Sequence, residues 1–144
     1  MTNASGGVKY SLYDTDDPLQ LEFVEAVKVN QEPKGLEFVP LSVTSVLRNG
    51  FAILDGNLYD TWSRPKKLYC LTKQHLMLPK QALLAAYASL RVLGHDAESV
   101  LGAASLWPGL SHRLEVIPLP NSLNDNNGHY KHIIFINDSK APVL

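Results

Sequence analysis

Near the end of the chain stand four side chains, Arg113, Asp138, Ser139 and Lys140, of the types that bind an anion carrying hydroxyls. A guanidinium grips phosphate or carboxylate through paired N–H groups, a carboxylate accepts from hydroxyls, and an ammonium adds a point charge. They work together only if the chain folds back on itself. Arg113 precedes an apolar segment at 114–119, and Asp138 follows another at 132–136. The stretch between is too polar for a core, with Asn121, Ser122, Asn124, Asp125, Asn126, Asn127 and Gly128. This pattern predicts an antiparallel hairpin with a long tip, which would set Arg113 beside Asp138 at one edge. The plainer expectation for the same pair is a surface salt bridge worth about 0–1 kcal/mol.

The elements that would carry such a site read as an α/β chain. Residues 8–13, Val-Lys-Tyr-Ser-Leu-Tyr, alternate as a strand does, and Asp14-Thr15-Asp16-Asp17-Pro18 breaks it. Asp17 is placed to cap a helix running to about Asn30, with Pro18 in its first turn and Gln20 three residues after the cap. Leu19, Phe23, Ala26 and Val27 are expected on its packed face. Acids between a strand and a helix also occupy the sheet end where ligands bind, although capping accounts for Asp17. Short β-like runs follow at 36–41, 43–47, 51–54, 58–61 and 67–71, punctuated by Asn49-Gly50 and Asp55-Gly56-Asn57. They read as a small antiparallel meander in which Trp62 and Tyr69 pack and Lys66-Lys67 is a solvated strand end. A strong helix with Leu83, Leu84, Ala86, Tyr87, Leu90 and Val92 comes next. Gly94 stops it and Asp96 caps a second helix through Ala97, Val100, Leu101 and Ala104.

Composition narrows the class. At 144 residues the chain can bury one core, and a net charge of -1 with scattered Lys and Arg argues against broad nucleic-acid binding. No run reaches the roughly 18 apolar residues of a membrane span, and the N-terminus lacks a signal-peptide core, so the cytoplasm is the expected compartment. A single cysteine excludes an internal disulfide. Within Leu68-Tyr69-Cys70-Leu71, Cys70 is expected to be a buried small hydrophobe.

The stretches "GLSHRLEV" and "FINDSKA", at residues 109–116 and 135–141, resemble the junction between the central and C-terminal domains of the Mur ligase family. There a G-L-P-H-R-[FLM]-E stretch is followed by I-N-D-S-K-A-T, and Asn137-Asp138-Ser139-Lys140 resembles the branch that adds D-glutamate. The helix pair before "GLSHR" is similar to the family's arrangement, and "YDTDDPL" resembles its N-A-D-D-x-x-T turn. The resemblance implies residues 1–111 as the C-terminal half of the central ATPase domain and 112–144 as the start of a Rossmann-like C-terminal domain. It further implies ATP and Mg2+ as cofactors, and UDP-N-acetylmuramoyl-L-alanine and D-glutamate as substrates. Arg113 would contact the nucleotide, Asp138 the ribose hydroxyls, and Lys140 phosphate or substrate. In the family's adenine-contacting G-x-H-N-x-x-N stretch, His75 matches the histidine and Gln81, after a two-residue shift, the second asparagine. Leu76 stands for the first asparagine and can form no hydrogen bond. Taken alone, His75 reads as a structural histidine.

The chain also departs from the family. It has no G-T-N-G-K-[ST] phosphate loop, because Gly6-Gly7 leads only into Val8-Lys9-Tyr10, and Pro142 stands where the family has a threonine. The family's magnesium ligands and modified lysine precede the matched region. Two expectations follow: part of an ATP-dependent amide ligase, inactive alone, or a noncatalytic scaffold or interaction module built on the same frame. Half of a doubly wound domain would expose strand edges and tend to self-associate.

Overall fold

The computed structural model describes residues 9–30, 35–109, 115–117 and 135–139. The chain forms two units, Met1–Leu106 and Trp107–Leu144. In the first, strand β1 (Lys9–Asp14) leads through helix α1 (Pro18–Val29) to strand β2 (Leu36–Ser42), which lies parallel to β1 with Lys9 level with Leu36 and Asp14 level with Leu41. The start of α1 is held as the sequence predicts. Asp17 accepts from the Leu19 N–H at 2.9 Å and from Gln20 Nε2 at 3.0 Å, and Pro18 opens the first turn without losing a bond.

Strand β3 (Phe51–Leu54) runs parallel to β2 although only eight residues, 43–50, connect them. A parallel connection normally needs a dozen or more residues. The stagger removes that need, because β3 overlaps β2 only at Leu41–Phe51 and Ser42–Ala52 and starts where β2 stops. β3 then turns through Asp55 and Gly56, both at positive φ, into β4 (Asn57–Asp60), and β5 (Lys67–Cys70) pairs antiparallel with β4. An Asp-Gly pair with positive φ at both positions matches the twist of the strands it joins. The sheet is mixed, in the order β1-β2-β3-β4-β5.

Helices α2 (Lys73–Leu76), α3 (Lys80–Val92) and α4 (Ala97–Leu106) follow. Leu84, Tyr87 and Ala88 of α3 close over Val39, Phe51, Ile53 and Leu58, and α4 adds Ala97, Val100 and Leu101 to the same core. Trp62 and Tyr69 pack against it, Trp62 near Phe51 and Tyr69 near Tyr87, as expected. At the end of α3 the Gly94 N–H donates to the Arg91 carbonyl and the His95 N–H to the Leu90 carbonyl, with Gly94 at φ 93°. This pair of bonds is why glycine stops the helix there. Asp96 caps α4 through the Ser99 N–H at 2.8 Å.

Four expectations need correction. The expected antiparallel meander holds only for β3, β4 and β5, because the run 36–41 is β2, which lies parallel to both β1 and β3. Residues 43–45 bend and 46–47 are irregular rather than a strand, because the Thr44 and Ser45 amides donate to Ser42 Oγ and the Thr44 hydroxyl to Asp16, bonds that compete with a ladder. α1 buries Val24, whereas Leu19 and Phe23 are 76% and 66% exposed. Its inner stripe is Leu21, Val24 and Val27, with Lys28 Nζ 5.9 and 5.6 Å from the ring centres of Tyr13 and Phe38. Both stripes are apolar at helical spacing, so periodicity alone could not choose between them. Cys70 is exposed, since β5 is an edge strand and alternation turns Tyr69 to the core and Leu68 and Cys70 away.

In the second unit, β6 (Glu115–Ile117) pairs antiparallel with β7 (Phe135–Asn137), Glu115 opposite Asn137 and Ile117 opposite Phe135. The expected hairpin pairing is present over these residues, and its tip lies outside the described residues.

Gly50 sits where β2 and β3 are joined. A Cβ there would stand 2.4 Å from the Pro40 carbonyl oxygen and 2.9 Å from Pro40 Cγ. Gly50→Ala is expected to destabilise the first unit by about 1–3 kcal/mol, read as a lower urea midpoint at unchanged slope.

Candidate functional site at the carboxyl end of the parallel strands

β1 and β2 end side by side at Asp14 and Ser42, and open αβ sheets bind ligands outside the carboxyl ends of such strands. A cleft of about 210 Å³ lies there, lined by Leu12, Tyr13 and Asp14 of β1, Gln20 of α1, Leu41 and Ser42 of β2, Val43, and Gln81, Leu84 and Ala85 of α3.

The acids beside this cleft are occupied by the fold. The Asp16 carboxylate accepts from Ser42 Oγ at 2.8 Å, Thr44 Oγ1 at 2.6 Å and the Val43 N–H at 2.7 Å. Burial pushes its carboxyl up, but the hydrogen bonds from Thr44, Val43 and Ser42 prevail and hold it below the usual carboxylate value. Asp14 Oδ1 accepts from the Asp16 N–H at 2.9 Å, and Asp17 caps α1. Gln20 is likewise engaged, accepting from the Asp14 N–H at 3.0 Å while donating to Asp17. Gln81 differs: it is exposed on the first turn of α3, and among the described residues no hydrogen bond engages its amide. A carboxamide presents a donor and an acceptor side by side, which suits the edge of a planar polar group.

His75, the other residue expected from the helix start, is buried and does not line the cleft. Its Nδ1 is 3.1 Å from the Thr72 N and 3.0 Å from Thr72 Oγ1, and its Nε2 is 2.8 Å from the Leu101 carbonyl oxygen. Nδ1 closes the cap of its own helix α2, and Nε2 ties α2 to α4. Asp138 is exposed just after β7, where the neighbouring Asn137 Nδ2 donates to Glu115 Oε2 at 3.3 Å. Arg113 and Lys140 lie outside the described residues.

A second polar cluster went unread in the sequence. Asp60, fully buried, accepts from the Ser63 N–H and Ser63 Oγ at 2.8 Å each, from the Tyr87 hydroxyl at 3.1 Å and from Arg91 Nε at 3.2 Å. Arg91 also donates to Ser63 Oγ at 2.7 Å and to the His95 carbonyl. Burial, and then the Asp60 carboxylate, push the Tyr87 hydroxyl well above its ordinary value. Desolvation opposes the charge on Arg91, but the bond to Asp60 outweighs it and raises its pKa. Beside this cluster the Tyr69 hydroxyl is buried without a partner among the described residues. Thirty-one residues separate Asp60 from Arg91, and no local pattern joins them.

No family model matches the chain. It is 30% identical over 115 residues to the UDP-N-acetylmuramoylalanine–D-glutamate ligase of Rickettsia prowazekii, covering 77% of this chain and 22% of that protein. The ligases of the same name from Rhodospirillum rubrum and Shouchella clausii are 35% identical over 112 residues and 27% over 140, covering 74% and 94% of this chain and 21% and 26% of theirs. The chain is a distant homologue of the Mur ligase family. Within that family, the homology is to the ligases that add D-glutamate to UDP-N-acetylmuramoylalanine. The chain spans between 21% and 26% of the length of these curated relatives.

The homology implies ATP and Mg2+ in the full enzyme. Among the described residues no three His, Cys, Asp or Glu side chains gather to hold a cation, and Asp14, Asp16 and Asp17 are committed to turns and caps. These residues do not fit a magnesium site, and no helix among them is long and apolar enough to cross a membrane.

Two outcomes test this account. Asp16→Ala is expected to cost about 1.5–3 kcal/mol at pH 7, since three donors lose an ionised acceptor. Because the folded-state pKa of Asp16 is lowered, its contribution is complete above the unfolded value near 4 and fades as pH falls below that, so the deficit narrows in urea melts at pH 3. Tyr69→Phe removes an unpaired hydroxyl and is expected to leave the thermal midpoint unchanged or higher.

Proposed function

We propose that this chain is part of an ATP-dependent amide ligase of peptidoglycan-precursor synthesis in the cytoplasm. Residues 1–111 would supply the second half of its central domain and residues 112–144 the first strands of its C-terminal domain. The observation that carries this reading is the 30% identity over 115 residues to a D-glutamate ligase. The full enzyme would transfer the γ-phosphoryl of ATP to the terminal carboxylate of UDP-N-acetylmuramoyl-L-alanine, giving an acyl phosphate and ADP. The amine of D-glutamate would then attack the acyl carbon, form the amide and expel phosphate. A carboxylate is a poor electrophile until its oxygen becomes a leaving group, and cationic groups must offset the gathered negative charge.

In this reading Gln81 turns its amide toward the adenine from the rim of the cleft, and His75 acts indirectly by fixing the short helix that precedes α3. Arg113 contacts the nucleotide, Asp138 accepts from the ribose hydroxyls, and Lys140 faces phosphate or substrate. A second reading, a noncatalytic scaffold, is favoured by one observation: the acids at the sheet end, Asp14, Asp16 and Asp17, are spent on the fold.

The purified 144-residue chain is expected to show no ligase turnover with ATP, UDP-N-acetylmuramoyl-L-alanine and D-glutamate. A fluorescent ATP analogue is expected to bind weakly, with affinity falling about tenfold in Gln81→Ala or Asp138→Ala, the loss of one good hydrogen bond. Absence of binding at millimolar nucleotide decides for the scaffold, and turnover by the chain alone refutes both readings.

A further inference from the structure

Asn49-Gly50 reads in the sequence as a turn, yet Gly50 is buried where β2 and β3 meet while Asn49 is exposed beside it. Both backbone polar groups of Gly50 are taken. Its N–H donates to Thr61 Oγ1 at 3.0 Å, inside the core. Its carbonyl accepts from the Thr61 N–H at 3.0 Å, from the Trp62 N–H at 3.1 Å and from the Thr61 hydroxyl at 3.0 Å. The same hydroxyl lies 2.9 Å from the Leu47 carbonyl oxygen, so one side chain closes the loop from Leu47 to Gly50. Packing adds to these bonds, since a Cβ on Gly50 would meet the Pro40 carbonyl oxygen at 2.4 Å. The Asn49 carboxamide, by contrast, is engaged by no hydrogen bond among the described residues.

An asparagine followed by glycine is chemically unstable when its backbone is free. The amide nitrogen after the asparagine attacks the side-chain Cγ, and glycine shields that nitrogen least because it has no Cβ. The new C–N bond closes a five-membered succinimide, and the side-chain amide leaves as ammonia together with the proton that the attacking nitrogen lost. Water then opens the ring at one carbonyl or the other, leaving aspartate or, with the main chain rerouted through Cβ and Cγ, isoaspartate. Only water is consumed.

We infer that Asn49-Gly50 is a latent site of this modification, kept silent by the Thr61 hydroxyl, which holds the attacking nitrogen. To reach Asn49 Cγ, the Gly50 nitrogen must give up its buried bond, and a buried N–H without an acceptor is costly. Attack therefore proceeds from a locally opened state in which Gly50 has left Thr61. The native rate is then the rate of the free chain multiplied by the open fraction, as for other reactions of open states that reclose quickly. The site records opening of the joint between β2 and β3, and isoaspartate makes the record permanent. It lengthens the main chain just ahead of a glycine that has no room for one added carbon, so the modified chain does not rebuild the Thr61 bonds.

The test incubates the full 144-residue chain at mildly alkaline pH, with and without denaturing urea, and follows deamidation peptide by peptide by mass spectrometry. In urea both Asn49 and Asn127, which glycine also follows, are expected to deamidate. Without urea, Asn49 is expected to slow by the same factor by which hydrogen exchange finds the Gly50 amide protected. Thr61→Val keeps the bulk, removes the acceptor, and is expected to raise the native rate about tenfold or more. Thr61→Ser keeps a hydroxyl and is expected to leave the rate low. Should Thr61→Val not fold, the match between the native rate and Gly50 exchange decides. Chains carrying isoaspartate, tagged by isoaspartyl methyltransferase, are expected to unfold at lower urea than unmodified ones. Deamidation of Asn49 in the folded chain at its urea rate, a Gly50 amide that exchanges without protection, or equal rates in folded Thr61→Val and Thr61→Ser overturns the proposal.

Discussion

A carboxylate withdrawn entirely from water must be neutralised where it sits, and Asp60 sets that condition for the first unit. It lies at the last residue of β4, with Ser63 from the following turn and Tyr87 and Arg91 from α3 converging on it. Desolvation of such a charge costs several kcal/mol unless partners replace the lost water, so the three elements are held in one arrangement. α3 spans β1, β2 and β3, and its placement decides which of its residues reach the cleft. The packing of Phe51 and Tyr69 around Tyr87 closes the apolar side of the same anchor.

The other deeply used acid, Asp16, does a different job. It gathers hydroxyls and an amide from the segment after β2 and lets two parallel strands be joined through eight residues instead of a helix. The acid-rich turn that could be taken for a cation site is therefore internal wiring. Gln81, on the rim of the cleft, is a polar lining residue whose amide no hydrogen bond engages among the described residues.

The candidate site was partly legible beforehand. Gln81 was singled out through a family motif and does line the cleft, while His75, matched by the same motif, proves to be the pin between α2 and α4. The pairing of β6 with β7 follows from two apolar segments around a polar one. The Asp60 cluster had no signature, because its members are common surface residue types that acquire meaning only when a sheet and a helix bring them together.

By itself the sequence determined the features governed by neighbours a few residues apart. These are the Asp17 and Asp96 caps, the Asp55-Gly56 turn, the Gly94 stop, and the alternation of β1. Each depends on backbone groups that the adjacent side chains can satisfy or leave open, so local chemistry is enough. Tertiary structure decided which apolar stripe of α1 faces inward, why 43–47 does not pair as a strand, and that Cys70 lies on an exposed edge. Those outcomes depend on what is packed alongside from distant parts of the chain, where burial and hydrogen bonding are won by competition rather than by propensity.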